Sequence, residues 1–112
     1  MILYGIPNCN TVKKSQIWLK DNGYEFYFHD FKKRSITAEK LGEWCGVFGW
    51  EKVLNRNGTT WKKLSDEEKN AVQDESSAIA VMIKNNSAIK RPVLEIDGKA
   101  VSIGLVCVIT NQ

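Results

Sequence analysis

Cys9 is the residue of this 112-residue chain best placed to do chemistry. It stands in Gly5-Ile6-Pro7-Asn8-Cys9-Asn10-Thr11-Val12-Lys13, after a short apolar run and a Pro-Asn turn, and just before a segment with helical spacing. A thiol there meets free backbone N–H groups and the positive end of a helix dipole. Both favour the thiolate, and Lys13 and Lys14 add positive charge one turn on. An ordinary thiol has a pKa of about 8.5, and helix N-termini lower it by about one unit or more. The chemistry on offer is nucleophilic attack by sulfur. The competing reading is a buried spectator cysteine.

Other reactive types are more thinly spread. Arg91 precedes Pro92 at the entry to an apolar segment, and its planar fork suits carboxylates and oxyanions. Asn55-Arg56-Asn57-Gly58-Thr59-Thr60 is a polar loop rich in donors, either a substrate contact or a plain connection. His29 alternates with aromatic residues and reads as a strand position. Cys45 falls on an apolar helix face and Cys107 in the apolar run Leu105-Val106-Cys107-Val108-Ile109, so both are expected to be structural. There is no CxxC and no Cys/His cluster, so a metal site is not expected.

Simple elements must hold these residues. Ile2–Ile6 reads as a first strand, about 11–22 as a helix stopped by Gly23, and 25–31 as a second strand. Together they make a βαβ unit. Thr37 is placed to cap a helix bearing Leu41, Trp44, Cys45 and Phe48 at i, i+3, i+4, i+7. Ser65-Asp66-Glu67-Glu68 is a capping box. A further helix over 77–84 is expected to bury Ile79, Met82 and Ile83. Val93–Ile96 and Ala100–Ile103 flank Asp97-Gly98, a hairpin turn signal. The order is β-α-β, a helical block, then β-β: an α/β sheet with an inserted helical subdomain.

Composition bounds the class. At 43% hydrophobic and 26% charged, the chain is of globular type and of single-domain size. A net charge of +3 is well short of a nucleic-acid footprint. Basic residues do cluster at Lys32-Lys33-Arg34, Lys62-Lys63 and Lys90-Arg91, on a solvated surface or beside an anionic ligand. No run approaches the roughly 20 apolar residues of a membrane span. The start lacks signal-peptide features. An odd number of separated cysteines fits a reducing compartment, so a cytoplasmic location is expected.

Three collinear stretches resemble the arsenate reductase-like (ArsC) family, in its Spx/MgsR/YffB branch. They are Tyr4-Gly5-Ile6-Pro7-Asn8-Cys9-Asn10-Thr11-Val12-Lys13-Lys14, Asn55–Leu64 and Ile89-Lys90-Arg91-Pro92-Val93-Leu94. The resemblance implies a thioredoxin-like fold over 1–112, with helices inserted at about 36–86, and a cis peptide before Pro92 that brings this turn against Cys9. It implies that Cys9 is the redox cysteine, that Arg91 matches an oxyanion-contacting arginine, and that Arg56 matches a second. Asn10, Thr11, Lys13 and Pro92 complete the implied substrate site. Two departures refine this. Val12 stands where Spx regulators carry a second cysteine. Glutathione-coupled arsenate reductases read Gly-Thr-Ser-Arg after their cysteine, where this chain has Asn10-Thr11-Val12-Lys13, and no arginine follows Arg91. The expected function is therefore that of a monothiol, glutathione-dependent thiol–disulfide oxidoreductase, acting as a monomer with no bound cofactor and glutathione as co-substrate. Arsenate reduction and an Spx-like, non-enzymatic role at RNA polymerase are the alternatives.

Overall fold

The N-terminal apolar run forms β1 (Ile2–Gly5), and a short turn leads into α1 (Asn10–Asp21) and then β2 (Tyr27–Asp30) in a computed structural model that describes residues 1–107. Gly23, at a φ of 79°, follows the end of α1, where left-handed backbone favours glycine. β2 pairs in parallel with β1, from Ile2 opposite Tyr27 to Gly5 opposite Asp30. The strand is shorter than the 25–31 pattern suggested, because residues before Tyr27 have no partner beyond the start of β1.

At the other end of the chain, β3 (Val93–Ile96) and β4 (Lys99–Ile103) form the expected hairpin. Asp97 (φ 52°) and Gly98 (φ 79°) are both left-handed, which is what a two-residue turn of this hand demands. β3 runs antiparallel to β1, so the sheet order is β2-β1-β3-β4. A register shift between Leu94 and Glu95 interrupts the β3–β4 ladder.

One side of the sheet is filled by Leu3, Leu19, Leu94 and Val106, all buried, with Trp18, Phe26, Phe28 and Val101 at the margin. Gly5 lets α1 approach β1: a Cβ there would lie 2.7 Å from Val12 Cγ2. Ser15, fully buried, donates to Thr11 O at 2.8 Å and accepts from Val106 N at 2.9 Å, tying the segment after β4 to α1. The Tyr4 hydroxyl donates to the buried Glu95 carboxylate at 2.8 Å, linking β1 to β3. Residues 1–34 and 91–107 form this sheet unit.

Ser35–Lys90 is a second unit. It holds α2 (Ala38–Phe48), α3 (Trp50–Val53), α4 (Thr59–Lys62), α5 (Asp66–Asn70), α6 (Glu75–Lys84) and a 3-10 turn over Asn86–Ala88. Thr37 caps α2 by accepting from Lys40 N, and Ser65 with Glu68 forms the reciprocal box of α5. Leu41, Trp44 and Cys45 are buried on α2 as the spacing required. Three expectations change. The last long helix starts at Glu75, earlier than expected, under a second box made by Asp74 and Ser77. Its buried face carries Ala78 and Met82, while Ile83 is 41% exposed, one step of about 100° off that face. The polar loop is also shorter, since Thr59 and Thr60 already belong to α4, while Leu54 makes a bridge with Ile89.

Candidate active site

Cys9 is the N-cap of α1, with extended backbone (φ −91°, ψ 123°). Its carbonyl accepts the first helical bond from Lys13 N at 3.0 Å, and its own N–H is held by Ile6 O at 3.2 Å. The Pro7-Asn8 turn thus closes on both sides of the cysteine, and the thiol is left partly exposed. At an N-cap the side chain faces the unsatisfied N–H groups of the first turn.

Partial burial by itself pushes the Cys9 thiol up. It is outweighed by the backbone N–H of Val12, the Arg91 side chain, the backbone N–H of Thr11 and the Arg91 charge, so the thiol lies below its ordinary value. The sequence named the right cysteine and the right amides but the wrong cation. Lys13 and Lys14 are exposed, and the positive charge acting on sulfur is Arg91, from the far end of the chain. The reason is geometric: β3 lies next to β1, so the residue entering β3 arrives beside the residue leaving β1. Arg91–Pro92 is a cis peptide and Pro92 is fully buried at the head of β3.

The other thiols differ. Cys45 is buried in the helical unit and its pKa is pushed up to about 11, by desolvation first and then by Glu75. Cys107 is exposed, which corrects its expected structural role; Val106 beside it is the buried residue. Residues 108–112 of that apolar run lie outside the described residues.

Of the predicted site residues, the sheet unit therefore brings together Cys9, Asn10, Thr11, Lys13, Arg91 and Pro92. Arg56 belongs to the helical unit, where it lies over the Trp50 ring at 5.7 Å and within 3.6 Å of Glu51. His29 is held in an aromatic cluster, 4.8 Å from the Tyr4 ring centroid, with Nε2 2.9 Å from Arg34 O. Sequence reasoning missed an open cavity of about 480 Å³ between α1 and β2, lined by Pro7, Lys13, Gln16, Phe28, Lys33 and Arg34 among others. The Lys32-Lys33-Arg34 cluster was its only visible signal. Among the described residues no group of three His, Cys, Asp or Glu converges, and no helix is long and apolar enough to cross a membrane.

A thiolate at an N-cap, next to a cis-proline turn and an arginine, on this sheet order, is a constellation that known proteins share. The sequence profile of the ArsC family matches residues 4–105. The solved structure of the YffB protein superposes with a TM-score of 0.87 at 45% identity, covering 93% of this chain and 90% of that one. An ArsC-related protein from Brucella melitensis superposes with a TM-score of 0.72 at 41% identity, over 99% of this chain and 86% of its own. An uncharacterised protein of Haemophilus influenzae is 39% identical over 98 residues, 88% of this chain and 85% of that protein. With a family match across nearly its whole length and a near neighbour in YffB, this chain belongs to the ArsC family, in its Spx/MgsR/YffB branch.

Proposed function

We propose that the protein is a monothiol, glutathione-dependent thiol–disulfide oxidoreductase. The observation that supports it most is the pairing of a lowered Cys9 thiol, faced by the Val12 and Thr11 amides and Arg91, with a Cys45 thiol driven the other way. In the first step the Cys9 thiolate attacks one sulfur of a mixed disulfide between glutathione and a substrate. A Cys9–glutathione disulfide forms and the substrate leaves as its thiolate. In the second step an external glutathione thiolate attacks the glutathione sulfur, releasing oxidised glutathione and regenerating the Cys9 thiolate. Electrons pass from two glutathiones to the substrate disulfide, and no metal is required. Arg91 is suited to hold the developing sulfur anion or a glutathione carboxylate; Asn10, Thr11 and Lys13 line the same end of α1.

Intact mass tests this. Wild type treated with oxidised glutathione should gain one glutathione, lose it to excess reduced glutathione, and gain none as Cys9→Ser. An internal disulfide, or no adduct under any oxidising condition, would defeat the reading. Arsenate reduction is the second reading, supported by the Brucella melitensis relative's description as related to an arsenate reductase. Against it, the chain after Arg91 offers no further arginine to bind an oxyanion. Arsenate-dependent consumption of reduced glutathione would favour it. Docking to RNA polymerase, as a regulator of Spx type, would be read instead from co-purification that survives Cys9→Ser.

A further inference from the structure

The open cavity beside β2 does not end at Lys13. A second cavity, of about 430 Å³, shares Gln16 and Phe28 with the first and extends to Lys20. Lys13, Gln16 and Lys20 fall on one face of α1, at spacings of three and four residues. The two cavities therefore form one trough along most of the helix, which is about 18 Å long. It opens at Pro7, two residues from Cys9, and its floor includes the half-buried Phe28.

The wall opposite α1 is the rim of the sheet. β2 is an edge strand, with β1 on its inner side. Tyr27 N bonds Met1 O and Phe31 N bonds Gly5 O, both at 2.9 Å, so the odd residues turn their N–H groups toward β1. By the alternation of a strand, Phe28 and Asp30 present theirs to the outer edge. The Asp30 carbonyl is taken by Lys33 N and Arg34 N, and its carboxylate by Lys32 N, which folds the turn so that Lys33 and Arg34 reach the same trough. Four cations, Lys13, Lys20, Lys33 and Arg34, thus border one extended edge. The acidic groups on the lining, Asp30 and Glu25, are fewer.

We propose that this trough binds an extended, acidic segment of a protein substrate, added as a strand to the outer edge of β2 with its acidic side chains toward the α1 and Lys33–Arg34 cations. The proposal rests on the thiol–disulfide reading and names its substrate class: a disulfide-bearing protein whose chain beside the modified cysteine is extended and anionic. Main-chain bonds to Phe28 would supply register, and the cations selectivity.

The test uses the full-length Cys9→Ser protein and a fluorescein-labelled synthetic peptide of alternating glutamate and valine without cysteine. Its glutamine counterpart serves as the neutral probe. Docking is then read without any disulfide chemistry, while adduct mass on wild type reads the chemistry without docking, so the two failures register separately. The acidic peptide should bind at least tenfold more tightly than the neutral one. Adding K20E and K33E together should remove that preference, and Lys62→Glu, in the helical unit, should leave it intact. Exchange of the Phe28 amide should slow at least tenfold in the complex. Equal binding of the two peptides, insensitivity to K20E/K33E, or an unprotected Phe28 amide would each overturn the proposal. So would an oligothymidylate of equal charge that binds as tightly, since the surface would then select charge alone.

Discussion

At the scale of single residues, sulfur chemistry depends on how much thiolate each cysteine carries. Cys9 is held below the ordinary thiol value against the cost of its partial burial, whereas Cys45 is raised to about 11. Alkylation by iodoacetamide, followed peptide by peptide across pH, should therefore show Cys9 reacting at the lowest pH and Cys45 resisting until strongly alkaline conditions. Arg91→Ala should raise the Cys9 midpoint and slow glutathione adduct formation by about ten- to a hundredfold, the rate equivalent of one charge-assisted contact of about 1.5–3 kcal/mol. Arg91→Lys should recover part of the midpoint but less of the rate, because an ammonium restores charge without the fork. The sign of the stability effect follows. Cys9 is a proton donor whose folded value is depressed, so its thiolate adds stability above the ordinary thiol value, and that contribution is lost as pH falls through the folded value. Cys45 acts oppositely: its folded form keeps the proton, so stability declines as pH rises from the ordinary thiol range toward 11. Chemical denaturation of Cys9→Ser and Cys45→Ala at several pH values would separate the two slopes.

At the scale of elements, the site depends on how closely α1 lies on the sheet. The contact that sets this is Gly5 against Val12, and Val12 also supplies the first amide that faces the Cys9 sulfur. Gly5→Ala places a methyl 2.7 Å from Val12 Cγ2, so α1 must shift. The expected cost is about 1–3 kcal/mol by denaturant titration, with an upward move of the Cys9 midpoint as the Val12 amide is displaced. Adding Val12→Ala should return the midpoint toward wild type; if it does not, the approach of helix and strand is not what aims the amide. Ser15 plays the matching part on the other side of the helix. Ser15→Ala would strand the Val106 N–H in the core and should cost about 1–3 kcal/mol, with amide exchange at Val106 speeding first. Neither contact was visible in the sequence as such. Gly5 looked like the end of an apolar run, and Ser15 and Val106 are 91 residues apart, beyond any local pattern. By contrast, caps at Thr37 and Ser65 and the Asp97-Gly98 turn are local features, each set within a few residues of chain, and these were legible.

At the scale of the whole chain, the same division between local and distant runs through the site. A thiol at a helix start is a local fact, read directly from Pro7-Asn8-Cys9-Asn10. Its cation is not: the nearby lysines were the visible choice, but the topology that sets β3 beside β1 delivers Arg91 instead. One-turn helices such as α3 and α4 carry too few residues to show a 3.6 period, so the helical unit was legible in kind but not in detail. What the chain keeps apart matters equally. Cys45 lies in the other unit, and the position one turn along α1 from Cys9 is Val12, so the motif contains no thiol to resolve an adduct. A single substitution should change that. An N-cap side chain reaches the N–H of the third helical residue, so Val12→Cys sets a second sulfur beside the first at the cost of little more than a buried methyl, about 1 kcal/mol. Treated with oxidised glutathione, that variant should pass through the adduct and release glutathione, ending two hydrogens lighter than its reduced mass. Peptide analysis should place the internal disulfide between Cys9 and the thiol introduced three residues after it. Wild type under the same conditions should hold its adduct until reduced glutathione is added. If the variant also holds a stable adduct, the two side chains do not face each other. If wild type sheds glutathione unaided, a resolving thiol exists elsewhere in the molecule and the monothiol cycle is wrong.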